Sequence, residues 1–265
     1  MPDTLTTRLA SACELAQSRT DAAGDKRALE ALAQAAHLAV AANVISPNDT
    51  LREVSTRSLR VLFIPSMQAE VEGSARIDGD LASRKVHVQN AIGAAYIFLR
   101  TTTQIGALAP ELSAILKRRA EAPATLVGAA EAREQKIMLF KLERTLRAHL
   151  DAFRVDFRVK KKVAGDVPGD AFYDLLFLPP GAGSAAAAAD EEDDDDDDEA
   201  EAPTINPAPP RTLREYLLQL VELHAVHTAG VLDSANQEYE LLRAAPRIRA
   251  LSGTGCRPRC LGGWL

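Results

Sequence analysis

The chain has 265 residues, 46% of them apolar and only 5% aromatic. That leaves room for one large domain or two small ones, with a core of alanine and leucine that favours packed helices over a β-sandwich. The formal net charge of −6 is misleading: Asp190 to Glu201 holds eleven carboxylates, and without them the remaining chain carries +5, a mildly basic body with an acidic tether.

The opening "MPDTLTTRLASACELAQ" lacks the basic start and apolar core of a secretory signal. No apolar run approaches the roughly 20 residues that cross a bilayer. Cys13, Cys256 and Cys260 make an odd count without a disulfide framework. The expectation is a soluble protein of the reducing cytosol or nucleus.

Helical spacing runs through nearly everything outside one central gap. "TLTTRLASACELAQ" puts Leu5, Leu9, Ala12 and Ala16 on one face, with Asp3 or Thr4 as N-cap. "KRALEALAQAAHLAVAANVI" repeats the pattern with Leu29, Leu32, Ala36 and Val40, and Gly24 is placed in the turn before it. In "SPNDTLREVSTRSLRVLFIPSMQAEV" a cap at Asn48 or Asp49 starts a helix with the face Leu51, Val54, Leu59, Leu62 and Phe63, which Pro65 kinks or ends. "DLASRKVHVQNAIGAAYIFLR" offers Leu81, Val88, Ile92, Ala95 and Leu99, and "PELSAILKRRAE" is a short helix.

A long helix from about Ala124 to Val159 follows, and it carries two stripes. With Leu139 as zero and 100° per residue, Leu142, Leu146, Leu150, Phe153 and Phe157 fall within about 60°, a core stripe. Arg133, Lys136, Phe140, Arg144, Arg147, Arg154 and Arg158 gather about 60° to 140° away. A charged stripe on a long helix is commonly just its solvated face, so the rest of the chain must decide whether this one has a task.

From Lys160 to about Pro210, glycines, prolines, an alanine run and the acidic block cannot support a packed core, which predicts disorder there, with "FYDLLFLPP" as a patch able to dock locally. Order returns over 211–246 in a second long helix with Leu213, Leu217, Leu220, His224 and Val231 on one line, and Pro246 is placed at its end. The tail 247–265 has no helical period. The expected fold is all-α: an antiparallel helical bundle or solenoid with TPR-like packing but without the 34-residue TPR consensus, and with a disordered acidic insertion before the last long helix. Residues 1–159 form its main part, and the 211–246 helix packs back onto it.

Catalytic signatures are missing: no glycine-rich phosphate loop, no GxSxG and no HExxH occurs. His224 and His227 share a helix face, but no carboxylate or cysteine joins them at ligand spacing, so we read core or interface histidines and no metal site. Cys256 and Cys260 lack the two further ligands of structural zinc. No cofactor is expected. Nucleic-acid binding by the arginine stripe is opposed by the pI of about 5.5, by the competing acidic tract and by the lack of a base-stacking aromatic set. An interaction module fits better than an enzyme.

Three segments then resemble one family, the alpha-4/TAP (forty-two) proteins, also called immunoglobulin-binding protein one. "REVSTRSLRVLFIP" is similar to that family's Ser-Thr, leucine, basic and aliphatic run with terminal proline. "REQKIMLFKLERTLRAHL" looks like its Arg-x-x-Lys-Ile helix. "REYLLQLVELHAVHTAGVLDSANQEYELLR" matches its Tyr-Leu-Leu, Gln-Glu and Leu-Leu-Arg in order and spacing. The family regulates type 2A protein phosphatases. The resemblance therefore implies a TPR-like domain that binds and stabilises the phosphatase catalytic subunit and connects to TOR-kinase signalling. It places the phosphatase-contacting Arg and Lys on Arg133 and Lys136, and its Gln-Glu pair on Gln237 and Glu238. Glu238 continues the line of Val231, Ala235 and Leu242, where it either pairs with an arginine of a neighbouring helix or touches the partner. The family's longer C-terminal region is missing or replaced by "GCRPRCLGGWL", which puts functions of that tail in doubt.

The reading that results is a non-catalytic scaffold, monomeric when free, without a nucleic-acid or membrane role. Arg133, Lys136, Phe140, Arg144, Arg147 and Glu238 are its candidate partner-binding residues. Arginine suits this task because its planar fork pairs bidentately with carboxylates, and Phe140 supplies an apolar anchor. The rival reading is a chaperone or scaffold for basic proteins that works through the acidic tract.

Overall fold

The computed structural model describes residues 3–76, 81–121, 129–161, 173, 175–176 and 207–252, and every element among them is helical. In chain order these are α1 (Asp3–Ser18), α2 (Ala22–Ala41), α3 (Thr56–Leu59), a 3-10 turn (Arg60–Leu62), α4 (Phe63–Ser74), α5 (Leu81–Gln104), α6 (Pro110–Glu121), α7 (Ala129–Lys161) and α8 (Leu213–Ser252). The all-α expectation holds. None of the described helices is long and apolar enough to cross a membrane.

α1 and α2 form a hairpin, α4 and α5 pack closely, and α2 also lies on α4. α8 runs against α3, α4, α5 and α7 and closes the main core. Its start is a reciprocal capping box: Thr212 Oγ1 accepts from the Glu215 N–H at 3.2 Å, while Glu215 Oε2 accepts from the Arg211 and Thr212 N–H groups at 2.6 and 3.4 Å. Along α8, Tyr216, Leu217, Leu220, Val221 and Leu223 are almost fully buried, and Phe153 of α7 stacks on Tyr216 with centroids 5.2 Å apart. Leu175 and Leu176, from the "FYDLLFLPP" patch, are buried in the same core with Tyr173 packed against it; the other residues of that patch lie outside the described ones. Nearly all the rest of 160–206, including the acidic tract, lies outside the described residues, as does 253–265.

α1 buries Leu5, Leu9, Ala12 and Cys13, close to the expected face, but Asp3 and Thr4 already belong to the helix, so neither is the expected N-cap, and the position before them lies outside the described residues. α2 departs from expectation. It starts earlier, with Asp21 as N-cap accepting from the Gly24 N–H at 2.6 Å, so Gly24 sits in the helix's first turn and not in a preceding turn. A Cβ there would meet Asp21 Oδ1 at 3.0 Å. Its buried face is Ala28, Leu32, Ala35 and Ala39, and Val40 is 80% exposed. That is a rotation of about 75° from the expected line. The small residues win because alanines let the helix axes approach closely, so area per side chain counts for less than fit.

Between α2 and α3 the expected helix from Asn48 or Asp49 does not form. Ser55 is the N-cap instead, accepting from the Ser58 N–H at 3.2 Å. Arg214 of α8 explains the delay. It donates to the carbonyls of Leu51 (2.6 Å) and Val54 (2.9 Å), which a helix would have used internally. Pro65 neither ends nor interrupts α4; it lies in the first turn, where a missing N–H forfeits no helical bond. On α5, Leu81 is 54% exposed and the buried face is Val88, Ala91, Ala95, Phe98, Leu99 and Thr102. The final helix continues past Pro246 to Ser252; a proline removes one backbone bond, and the neighbouring turns keep theirs.

Candidate functional site

α7 shows its leucine stripe as expected: Leu139, Leu142, Leu146 and Leu150 are at most 5% exposed, facing α8. The basic stripe does not stay whole. Arg154 is 6% exposed, with Nη2 on Asp151 Oδ1 at 3.0 Å, and Arg158 is half-buried and engaged. Arg147 is also turned inward. Its Nε donates to Glu143 Oε1 at 3.1 Å, and Nη2 lies 3.1 Å from His227 Nε2, which is itself 3.0 Å from Glu143 Oε1. Burial pushes the Glu143 carboxyl up, but the hydrogen bonds from His227 and Arg147 outweigh it and hold the group below its ordinary value. The reading of one continuous basic face is therefore corrected. Its C-terminal half is taken up within the fold: Arg147 by Glu143 of the same helix and His227 of α8, and buried Arg154 by Asp151 of the same helix.

The N-terminal half stays open. Arg133, Lys136, Phe140 and Arg144 are all exposed, Phe140 by 66%. Among the described residues no hydrogen bond or ion pair engages Arg133, Lys136 or Arg144. The nearby carboxylate of Glu131 is turned toward Arg118, at 3.4 Å. Beside Phe140 stands Ile137, 45% exposed, which the sequence reading did not single out. It was legible on the helical wheel as an apolar residue about 160° from the leucine stripe. The resulting face holds three free cations around two exposed apolar side chains, spread over about 16 Å of helix. Cations without internal partners beside a desolvatable anchor are the chemistry for docking an acidic surface with an apolar socket.

Glu238 is not part of this face. It sits on the far part of α8 and pairs in a fork with Arg84 of α5: Nε to Oε1 at 2.5 Å and Nη2 to Oε2 at 2.7 Å. The Arg84 hydrogen bond holds the Glu238 carboxyl below its ordinary value. Arg84 also donates to the carbonyls of Gly73 (2.7 Å) and Ala75 (3.2 Å), so the group staples α8 to the end of α4. This is the arginine pairing that the sequence allowed.

The two histidines of α8 also part company. His224 lies in the core, with Nδ1 2.6 Å from Ser66 Oγ and its ring against Phe63, while His227 is 42% exposed in the seam. Cys256 and Cys260 lie outside the described residues. Among the described residues no three His, Cys, Asp or Glu side chains gather at metal-holding distances.

The sequence model of the TAP42-like family matches residues 5–256 of the chain. No curated protein and no solved structure matches it.

Proposed function

The chain belongs to the TAP42-like family, a family of regulators of type 2A-class protein phosphatases, and from that premise we propose that it binds and stabilises the catalytic subunit of such a phosphatase as a non-catalytic scaffold. The observation that supports this most is the open half of α7. Arg133, Lys136 and Arg144 surround exposed Phe140 and Ile137 without internal partners. Among the described residues, Arg19, Arg76, Arg84, Arg147 and Arg154 are taken up in internal pairs, whereas Arg133, Lys136 and Arg144 have none. The Arg-x-x-Lys-Ile motif falls on Arg133, Lys136 and Ile137, so the family resemblance and the geometry meet on one helix turn. Arg147, engaged by Glu143 and His227, has a supporting place at the edge of that face; Glu238 acts through the α4–α8 staple. The link to TOR-kinase signalling and a place in the cytosol and nucleus belong to the same proposal.

The test is the double variant Arg133→Glu, Lys136→Asp. Both side chains are exposed, so the melting temperature should stay within the shift that about 0.5 kcal/mol gives. Losing desolvated charge pairs at an interface removes about 2–5 kcal/mol, a thirty-fold or greater drop in affinity for the type 2A catalytic subunit. Unchanged capture by a normally folded variant would reduce the face to solvated surface. Deleting Asp190 to Glu201 should leave capture intact; loss of binding there, with the basic face unaltered, would favour a chaperone working through the acidic tract.

A further inference from the structure

α7 is apolar on two sides. Opposite the leucine stripe, with Leu139 again at zero, Ile137, Ala148, Val155 and Val159 fall between about 160° and 200°. Ile137, Val155 and Val159 are 45%, 51% and 73% exposed, and Ala148 is exposed with them, so no described helix covers the line. Single apolar residues scattered over a surface need no explanation. A row of them along about six turns of one helix is different, and its two valines are poor helix formers that gain nothing from α7's own packing.

Charges flank this line in an order that decides what can lie on it. On one flank stand Arg144, at about 140°, and Asp151, at about 120°; on the other stand Lys141, at about 200°, and Asp156, at about 260°. All four are exposed. Among the described residues no hydrogen bond or ion pair engages Lys141, Arg144 or Asp156, and Asp151 gives only Oδ1, to Arg154, with its side chain 56% exposed. On both flanks the cation precedes Ala148 and the carboxylate follows it at nearly the same distance. Arg144 is four residues before and Asp151 three after; Lys141 is seven before and Asp156 eight after. Ile137 and Val159 each lie eleven residues from Ala148.

We propose that this face is an interface between two copies of the chain, with their α7 helices antiparallel and a two-fold axis through Ala148. Such an axis sets each flank against itself with the chain direction reversed. Arg144 then meets Asp151 of the second copy and Lys141 meets its Asp156, each pair within about 1.5 Å of level. Ile137 packs on the second copy's Val159, and the small Ala148 lets the axes approach at the centre. The symmetry makes every contact twice. Parallel helices would set Arg144 against Arg144 and Lys141 against Lys141, so the charge order selects the direction. One helix face is a small interface, and the dimer should dissociate on the order of 10 µM. This departs from the monomer expected from the sequence. Ile137 and Arg144 also belong to the open face proposed for the phosphatase, so dimer and phosphatase complex would exclude one another. That consequence rests on the phosphatase-binding reading; the dimer itself does not.

Sedimentation equilibrium of the full-length chain from about 1 to 300 µM tests it. The expected result is a monomer–dimer equilibrium. Ala148→Glu sets two carboxylates against each other on the axis and should weaken the dimer by about ten-fold or more, with the melting temperature unchanged because the site is exposed. Lys141→Asp and Asp156→Lys should each weaken it, and the variant carrying both should restore it. The two positions lie fifteen residues apart on one helix, too far for a rescue within one chain. A chain that stays monomeric over the whole range, a dimer indifferent to Ala148→Glu, or a double variant no tighter than its single parents would overturn the proposal. So would a dimer lost on deleting Asp190 to Glu201, which would place the acidic tract, and not a second α7, on the cations.

Discussion

Replacing Glu222 by glutamine should make the protein more stable at neutral pH and leave it unchanged in mild acid. Glu222 of α8 is 3% exposed, and its Oε1 accepts from the Ala109 N–H at 3.1 Å, at the start of α6. Burial raises its pKa from the ordinary 4.5 to about 7, and the Ala109 hydrogen bond offsets only part of that. The folded chain therefore holds a proton on this carboxyl that the unfolded chain has already released. Below about 4.5 both states are protonated and the group's contribution is complete. As pH rises to about 7 that contribution is lost, and above 7 the loss is constant. The 2.5 units between the two values correspond to about 3 kcal/mol at about 1.36 kcal/mol per unit, as an order of magnitude. Glutamine fills the same space, still accepts from Ala109 and does not ionise, so it escapes the loss. Urea unfolding of both proteins at pH 4 and pH 8 reads the difference directly: near-coincident curves at pH 4, and at pH 8 a higher midpoint for Glu222→Gln. Curves that shift in parallel between the two pH values, or a variant less stable at pH 8, would refute the burial argument. Other carboxylates titrate in the same range, but they do so equally in both proteins and cancel.

Further outcomes follow from the same coordinates. Phe140→Ala should leave the unfolding midpoint in place, because the ring is 66% exposed, yet weaken capture of the phosphatase catalytic subunit. Leu146→Ala, at a fully buried position facing α8, should cost about 2–5 kcal/mol in chemical denaturation. Arg214→Met frees the carbonyls of Leu51 and Val54, and hydrogen exchange should show faster opening of residues 50–58 than in the parent protein. Cys13 is 3% exposed, and burial lifts its thiol pKa to about 12, so a thiol reagent such as DTNB at pH 8 should leave it unmodified until the chain unfolds.

Much of the architecture was legible because long helices announce themselves by period alone. The Leu139–Leu150 stripe, the α6 segment and the Leu217–His224 line needed no knowledge of neighbours. What failed was decided by neighbours. The α2 face turned toward its alanines because α1 approaches closely, and nothing in "LEALAQAAHLAV" records that approach. The start of α3 was displaced by Arg214, more than 150 residues further along the chain. The basic stripe on α7 was correctly found as a stripe, but its division was only partly legible: Glu143 and Asp151 stand four and three positions before Arg147 and Arg154 on the same helix, whereas His227 reaches Arg147 and Glu143 from α8. Ile137 was visible and overlooked: an apolar residue on a charged face carries the same information as Phe140 three positions later.

The position of α8 far downstream of the helices it covers has a consequence for how the protein comes into being. α7 packs chiefly on α8, so on the ribosome its leucines emerge long before the helix that covers them. Until residues 213–232 have been made, the Leu139, Leu142, Leu146 and Leu150 row and the inner side of α4 and α5 stay in water. A chain that stops within the acidic tract would keep them there, offering an apolar seam to other chains. Such a product should accumulate as aggregate or be degraded, with no shortened regulator surviving. α8 thus couples burial of the α7 leucine row to synthesis of a segment some 70 residues further along the chain.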